Sequence, residues 1–403
     1  MATALIDALF LQSGYNASLV SIGATLLGVT AGSGGTFLFL RKRALVSDAI
    51  AHATLPGIGL AFLVMVALGS DGRNLFGLLI GSAITAGIGL MLVEWMSRKT
   101  RLPEDTAIGA VLSVFFGFGI VLLTVIQSVS VGRQAGLETF LLGSTAGMLF
   151  EDAVLIAVGG ALALSAVFTL RRPLTLVAFD PEYAASTGVN VRNIDLAMMG
   201  IVMAVTVIGL KIVGLILIVA LLIIPAVTAR FWSEQTDHVV WMAGILGGIS
   251  GYVGSAISAS QPDMPTGPVI VLVSFALFVL SLLFAPGRGV VAALIKHRRF
   301  QWQVHRRQGL LALAHQEPIF DQLTLSVLRR ENLIRPDGVP TEAGRSQAAK
   351  ALRDERRWEV ARQRDHDIAL SGRYDGLTAI EKLLTPDEIA DIDRQIGPPV
   401  EVM

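Results

Sequence analysis

Residues 106–126 of this chain read TAIGAVLSVFFGFGIVLLTVI and contain no charged side chain. A helix that crosses a bilayer places about 20 consecutive apolar residues in the hydrocarbon core. This stretch meets that requirement, and eight other segments are comparably apolar. The sequence therefore predicts an all-α polytopic membrane protein. The nine segments are Ala17–Leu40, Leu45–Leu68, Leu75–Met96, Thr106–Ile126, Ala153–Leu170, Ile194–Leu210, Ile212–Ala229, Val239–Ala259 and Val269–Phe284.

The number of crossings depends on the sixth and seventh segments, which are short and are separated only by Lys211. A single longer, broken helix is the competing interpretation, and it lowers the count to eight. Membrane proteins collect Lys and Arg in their cytoplasmic loops. Nine crossings with the N-terminus outside place every basic loop in the cytoplasm, whereas eight would put one of them on the wrong side. The basic loops are Arg41–Arg43, Arg98–Arg101, Arg171–Arg172, Arg230 and Arg288–Arg307.

Composition divides the chain into unlike parts. It is 53% hydrophobic and 16% charged, whereas soluble domains carry about 25% charged residues, and the charges are concentrated after Lys296. We predict a transmembrane domain at residues 1–290, a basic interfacial linker against anionic lipid at 291–310 and a cytoplasmic domain at 311–403. Cysteine is absent, which excludes disulfides and thiolate-ligated metal. The first apolar run has no signal-peptide features, so we expect it to remain in the protein.

Enzymatic motifs are missing from the sequence. It contains neither the His-Glu-x-x-His zinc motif nor the Gly-x-Ser-x-Gly nucleophile turn. It also lacks the Gly-x-x-x-x-Gly-Lys-Ser/Thr loop that binds nucleotide phosphates. A transporter with this sequence is therefore not itself an ATPase, and it is either ion-coupled or served by a separate ATPase.

One apolar segment carries two ionisable residues, in the stretch SDAIAHATLPG at residues 47–57. Asp48 and His52 are four residues apart and therefore share one face of a helix. Ionisable groups inside a span are costly and usually face a cavity or each other, and a carboxylate with an imidazole suits Mn, Fe or Zn. Pro56 and Gly57 predict a break in the helix just beyond, which exposes backbone carbonyls. A structural Asp–His pair near the cytoplasmic surface is the alternative.

The predicted cytoplasmic loop AFDPEYAASTGV, residues 178–189, has the features of a short surface helix. Asp180 is a typical N-cap, Pro181 suits a first helical turn, and Gly188 suits a helix end. Acidic residues are unusual on the face of a membrane where loops are normally basic. The pattern favours a docking element over a loop helix without a partner. The residues assigned to this docking role are Phe179, Asp180, Glu182, Tyr183 and Gly188.

A third stretch combines Lys211 and Gly214 with Pro225 further along. A lone lysine between two short apolar runs indicates a break in the helix. Broken helices direct backbone dipoles at the transport pathways of many transporters. A tight extracellular turn between two ordinary spans is the alternative interpretation.

These three stretches, in this order, resemble the ABC-3 class of metal permeases, the membrane subunits of importers for manganese, zinc and iron. Residues 37–41, FLFLR, together with 45–57 resemble the signature of that class, 179–188 resembles its coupling helix, and 210–226 resembles a third block. The similarity covers roughly residues 10–290. The class often has Gly-Asp-Ala-x-Ser-His where this chain has Ser47 and Ala51 in place of the glycine and serine, but the aspartate and histidine are retained.

The resemblance implies a permease subunit of the bacterial inner membrane that carries Mn, Zn or Fe into the cytoplasm and holds no permanent cofactor. Two permease subunits, identical or related, would form the pore. Two ATPases would bind below it, and an extracytoplasmic metal-binding protein would deliver the ion. The resemblance makes Asp48 and His52 metal-passing residues and makes Glu138, in the segment GLETFLLG at 136–143, a further candidate for metal contact on the outer side. An ion-coupled metal carrier is the alternative.

The tail of the chain resembles the winged helix, and the helix that follows it, in the metal-dependent iron-repressor family. Residues 319–327 and 328–334 are predicted helices, and Arg335–Thr341 is a predicted turn or hairpin wing. A further helix is predicted from Thr341 through Trp358 towards Ile368.

The function of the tail is less constrained. The repressors ligate metal through Cys or Met, His and Glu, whereas this tail offers only His366 with Asp365 and Asp367 as a cluster. Its mixed charge and its membrane anchor argue against binding to nucleic acid. Assembly with the ATPase, metal-responsive regulation and, less favoured, DNA binding are the alternatives, and the lack of a convincing ligand set favours assembly.

Overall fold

The computed structural model describes residues 2–70, 74–128, 148–261, 264–364 and 374–397. Within these ranges the chain is almost entirely helical. It divides into two compact units, Met1–Val290 and Val291–Met403. Eight helices of the described ranges are long and apolar enough to cross a membrane, and all eight belong to the first unit. The chain is therefore a multi-pass membrane protein, as the sequence predicts.

Helices α1 to α10 form the first unit, and their bounds lie within a few residues of most predicted segments. The 30 residues of α6 extend well beyond the predicted Ala153–Leu170. The helices are α1 (Ala2–Leu9), α2 (Tyr15–Leu40), α3 (Ala44–Ala67), α4 (Leu75–Lys99), α5 (Glu104–Ser128), α6 (Phe150–Phe179), α7 (Pro181–Ser186), α8 (Val191–Arg230), α9 (Thr236–Ala259) and α10 (Thr266–Phe284).

The sixth and seventh predicted segments both lie in α8, which is not a straight rod. Gly214 interrupts it with φ 78° and ψ 171°, a backbone conformation that L side chains rarely adopt. The chain reverses direction here, because Gly209 on one side of the interruption lies against Ile218 on the other. The limb before it, Val191–Leu210, is long enough to span a bilayer, while the limb after it, Leu217–Arg230, is shorter.

The neighbouring helix α2 confirms that the two limbs of α8 are antiparallel. Gly34 and Gly35 are adjacent on α2, and they face Ile201 of the first limb and Leu222 of the second. Residues 201 and 222 therefore lie at one level, as do 209 and 218. With the two limbs of α8 counted separately, the described residues contain nine apolar helical segments in the bundle besides the short α1. Eight of them have full spanning length.

Helix α2 forms the centre of the bundle. It is 72% buried over its most apolar window, whereas α5 and α10 are only 22% buried and lie at the periphery. Small residues let α2 and the antiparallel α9 approach until their backbones touch. A Cβ atom added to Gly28 would lie 2.2 Å from the carbonyl oxygen of Gly247, and one added to Gly251 would lie 2.3 Å from that of Ala24.

Ion pairs bring the basic helix ends together on one face of the first unit, here called the basic face. Arg41 and Arg43, between α2 and α3, pair with acidic residues at the starts of α5 and α8. Other pairs join the end of α4 to the start of α8, the end of α6 to the start of α9, and the loops that follow α8 and α10. These additional pairs are Arg192–Glu94, Arg171–Asp237 and Arg288–Glu234.

The second unit contains α11 (Val290–His315, which begins at the boundary), α12 (Gln322–Arg330), α13 (Glu342–Arg364), a short 3₁₀ turn (Ile380–Lys382) and α14 (Pro386–Ile396). The two helices predicted over residues 319–334 are wrong, because the structure has only α12 there. Asp321 caps α12 by accepting a hydrogen bond from the Thr324 N–H at 2.8 Å. Asn332, with φ 56°, prevents the helix from continuing.

The predicted turn at Arg335–Thr341 is present. Ile334 and Pro340 form an antiparallel bridge, and Gly338 makes the reversal with φ 89°. The identification of this region as a winged helix stays a prediction. The candidate cluster around His366 lies outside the described residues.

The predicted linker at residues 291–310 is not a separate element, because its second half folds into the core of the second unit. Within α11, Arg307 pairs with Asp354 at 2.9 Å and with Glu355 at 2.7 Å, and Leu310 belongs to the same apolar cluster as Leu328. The first half, around Lys296, is exposed, and its contact with lipid stays a prediction.

A second cluster closes the other end of this unit around Trp358, whose side chain is fully buried. Beside it, Arg357 on α13 pairs with Asp393 on α14 at 2.6 Å. The Arg357 guanidinium holds the pKa of Asp393 below its usual range. The stability that this pair contributes is therefore present above the unfolded pKa of the carboxyl group and is lost as the pH falls through its lower folded pKa.

Replacing Gly28 by alanine tests the contact between α2 and α9. We expect the free energy of unfolding in detergent micelles to fall by about 1–3 kcal/mol, because the new methyl group would force two buried backbones apart. The control is Gly109→Ala on α5, where an added Cβ meets nothing within 4 Å. Equal stability of the two variants would contradict the close-packing argument.

Candidate functional site

Asp48 and His52 lie on the same face of α3, as predicted, in the second and third turns from its start at the basic face. His52 Nε2 is 3.4 Å from Asp48 Oδ1, and the side chains are 18% and 37% exposed. The imidazole packs edge-on against Phe116 of α5, with ring centroids 4.9 Å apart. Among the described residues, Nδ1 of His52 is buried and has no hydrogen-bond partner. The pair is thus partly open on one side and held by an aromatic ring on the other.

The spacing of this pair suits a shared metal ion. Two donors that each bind an ion at about 2.1 Å with tetrahedral geometry stand about 3.4 Å apart. The carboxylate and imidazole of Asp48 and His52 have this separation. They could therefore contact one cation together without a change in the backbone.

No third ligand joins the pair from the same chain, as far as the described ranges go. Within them, no group of three or more His, Asp or Glu side chains could hold a metal ion. A tightly held structural zinc ion needs about four protein ligands. A pair of ligands that is partly exposed suits an ion that binds briefly and moves on. It suits a permanently bound ion less well. The other metal candidate, Glu138, lies outside the described residues.

The predicted break in α3 at Pro56 and Gly57 is wrong, because helical structure continues through both residues. Pro56 removes one ladder hydrogen bond, the one that an N–H at this position would donate to the His52 carbonyl. Gly57 serves packing, since an added Cβ would lie 2.1 Å from the carbonyl oxygen of Gly81 on α4. The close packing of α4 at Gly57 supports α3 beside the missing bond, and the helix remains continuous.

The predicted break in α8 is present at Gly214, three residues beyond Lys211. Pro225, by contrast, lies within a continuous helical limb. The interruption therefore comes from the glycine, whose backbone can adopt the required positive φ. A role for Lys211, Gly214 or Pro225 in a transport pathway stays a prediction.

The short helix predicted in the loop after α6 is confirmed as α7. Asp180 accepts a hydrogen bond from the Tyr183 N–H at 2.9 Å, and Pro181 occupies the first helical position. Gly188 ends the element with φ 86°. Ala184 is buried, which anchors the helix, while Phe179 and Tyr183 are 58% and 57% exposed. The exposed aromatic rings and the neighbouring Glu182 form a surface on the basic face.

Sequence analysis missed a cluster of four charged side chains beside α7, here called the Arg41 node: Arg41, Arg43, Glu104 and Asp195. Arg41 donates two hydrogen bonds to the carboxylate of Asp195, at 3.3 Å and 3.2 Å. Arg43 lies 3.6 Å from Asp195 and 3.0 Å from Glu104. From the sequence, Arg41 and Arg43 serve as markers of topology, and Arg41 also as part of the family signature, but neither is expected to form an ion pair. Asp195 could have indicated the node, because it is an acidic residue at the start of the predicted apolar segment Ile194–Leu210.

Residues 15–285 match the ABC 3 transport family. The chain is 39% identical over 313 residues to the manganese transport system membrane protein MntC of Bacillus subtilis, an alignment that covers 77% of this chain and 71% of that one. It is 37% identical over 289 residues to the zinc transport system membrane protein TroC of Treponema pallidum, covering 72% and 95%.

A solved structure of PsaBC from Streptococcus pneumoniae in complex with Fab is similar in fold. The TM-score is 0.61 at 28% sequence identity, and the match covers 72% of this chain and 98% of the other. The aligned share agrees with the extent of the first unit. Both the Asp48–His52 pair and α7 lie inside the residues that match the family.

Proposed function

Because the chain belongs to the ABC 3 transport family, we propose that it is the membrane-spanning permease subunit of an ABC importer for a divalent transition metal. The observation that carries this function is the similarity of nearly the whole membrane unit to relatives named for manganese and zinc transport. The helical bundle and the polar pair inside α3 suit a protein that conducts an ion across the bilayer.

Manganese and zinc are the first candidates for the transported ion, because relatives carry those names. Iron is a candidate on the basis of ligand chemistry alone, since a carboxylate and an imidazole suit all three metals. Asp48 and His52 are the residues that we propose to contact the ion. Further ligands would come from water or from a second permease subunit, identical or related.

The chain acts as a transport subunit rather than as an enzyme, and ATP hydrolysis takes place on a separate ATPase. Support comes from the sequence, which has no phosphate-binding loop of the Gly-Lys-Ser/Thr type. Helix α7 is the proposed docking element, because Glu182 and Tyr183 of this helix and Phe179 at the end of α6 are exposed on the basic face. An extracytoplasmic metal-binding protein would deliver the ion on the opposite side.

The basic face is assigned to the cytoplasm of a bacterial cell by the positive-inside rule. Helix α2 ends at this face, so its N-terminal end lies on the outer side of the inner membrane. Helix α10 also ends at this face, beside Arg288. The residues that follow α10 therefore lie in the cytoplasm.

We assign the second unit to assembly of the complex rather than to metal sensing or nucleic-acid binding. Its described histidines, His297, His305 and His315, do not form a metal cluster with other ligands. Many of its arginines are already paired with carboxylates of the same unit, as Arg307 and Arg357 are. Such pairing leaves less free positive charge for a phosphate backbone.

Asp48→Asn and His52→Gln variants test the metal pair. We expect either change to lower ATP-driven metal uptake at least ~10-fold, since even an outer-shell partner of a metal site is worth that much. Thermal stability should stay near that of the wild type, because a partly exposed pair contributes little. His238→Gln, a histidine at the start of α9, is the matched control. Normal uptake by both variants would assign the pair a structural role.

The double variant Glu182→Ala, Tyr183→Ala tests α7 as the docking element. We expect loss of the ATPase from the purified complex, or hydrolysis that is no longer linked to uptake, because the changes remove exposed contact groups without touching the buried Ala184. Glu234→Ala alters another exposed carboxylate of the basic face and serves as the control. A stoichiometric, fully coupled complex from the double variant would place the contact elsewhere.

Ending the chain after Gly289 removes the second unit at its boundary and takes away the whole of α11, whereas a cut at Arg307 would divide that helix. We expect the remaining bundle to insert, because its backbone hydrogen bonds and packing are internal. A smaller yield of intact complex in a pull-down is expected if the unit serves assembly. Faster uptake at high cytoplasmic metal, with normal yield, would identify it as a metal-responsive brake. Asp391→Asn, at an exposed pair, is the control.

A further inference from the structure

The Arg41 node contacts the chain on both sides of α7. Arg41 donates a hydrogen bond at 2.9 Å to the carbonyl oxygen of Val177, in the last turn of α6, three residues before the Asp180 cap. The same guanidinium binds Asp195, in the second turn of α8, after the loop that follows α7. The two flanks of the docking helix therefore converge on a single side chain.

The other half of the node lies at the start of α3. Arg43 is the residue immediately before α3, and it joins Asp195 on α8 to Glu104 at the start of α5. Asp48 follows five residues later, and His52 one turn after that. Phe116, which packs against the His52 ring, belongs to α5 as well. Both helices that form the metal pair and its aromatic wall are thus tied to the node.

The physical chemistry of the node makes it a stiff connection. Two guanidinium groups and two carboxylates balance in charge, and the side chain of Asp195 is only 7% exposed. Separating a buried ion pair leaves uncompensated charges, so the partners are held together when the surrounding helices move. Two other pairs on the basic face differ, because Arg171–Asp237 and Arg288–Glu234 are exposed and can exchange their partners for water.

We propose that the Arg41 node transmits movement of α7 to the Asp48–His52 face of α3, with Asp195 as the positioning residue at its centre. This inference rests on the proposed function, since it takes α7 as the ATPase contact and α3 as the metal-bearing helix. A displacement of α7 shifts Val177 and Asp195 together. Arg41 and Arg43 follow them, and the start of α3 moves with its short connection to α2.

The test compares metal imported per ATP hydrolysed in full complexes reconstituted into vesicles, using Mn²⁺ and Zn²⁺ in turn. Asp195→Asn keeps the size of the side chain and removes the charge that both arginines share. Arg43→Gln cuts the arm that reaches α5 and leaves the Arg41–Asp195 pair in place. Asp237→Asn removes an exposed carboxylate at the start of α9 and is the matched control. Only intact complexes, isolated by size and subunit ratio, are assayed.

We expect both node variants to hydrolyse ATP while the metal-to-ATP ratio falls at least about fivefold, the lower range for coupling between sites. The control should keep the wild-type ratio. A merely structural role would reduce the yield of complex without changing the ratio in the complexes that form. If Asp195→Asn yields no complex, Arg43→Gln decides the question by the same measurement.

A wild-type ratio in the node variants, with uptake intact, would overturn the transmission proposal and leave the proposed function standing. An equal loss in the Asp237→Asn control would also overturn it, because any carboxylate of the basic face would then have the same effect. Absence of ATP-driven uptake of either metal by the wild-type complex would count against the proposed function itself, and the node proposal would fall with it.

Discussion

The rest of the membrane unit depends on backbone contact at α2. Where Gly28 meets Gly247 and Gly35 meets Leu222, a carbonyl oxygen stands where a Cβ would otherwise be. Helices in a bilayer gain little from hiding apolar surface from each other, so association relies on close packing. Helix α2 touches α6, α8 and α9, and its burial far exceeds that of the peripheral spans. Helix α3, which carries the Asp48–His52 pair, packs mainly against α4 and α5 and is connected to this centre through α8.

Much of this architecture could be predicted from the sequence, because hydropathy and charge are read locally. The segments, the cap at Asp180 and the stop at Gly188 all express short-range rules. The interruption of α3 was predicted wrongly, since proline chemistry alone does not show that α4 packs at Gly57 and supports a continuous helix. The sequence suggested a break in α8, but only the backbone conformation of Gly214 and the contacts with α2 show that the chain reverses direction there.

The functional residues also divide into those that a local sequence pattern predicts and those that depend on tertiary contacts. A spacing of four placed Asp48 and His52 on one face, so their proximity could be predicted. Asp195 and Arg41 are 154 residues apart in sequence, and no local pattern joins them. Their pairing depends on tertiary contact between α2 and the start of α8. Likewise, the basic residues 306 and 307 suggested a lipid-facing linker, whereas their carboxylate partners lie up to 48 residues further along.

The short second limb of α8 depends on neighbouring helices to shield it from lipid. Leu217–Arg230 extends only about 21 Å at 1.5 Å per residue, whereas the hydrocarbon core is about 30 Å thick. Hydrophobic mismatch of this kind is relieved by local thinning of the bilayer or by polar groups reaching the interface. Neither is required here, because Leu217, Ile218, Leu221 and Leu222 are buried, so neighbouring helices rather than acyl chains border the limb. Irregular backbone at membrane depth is tolerated where protein surrounds it, and the interruption at Gly214 lies in that setting.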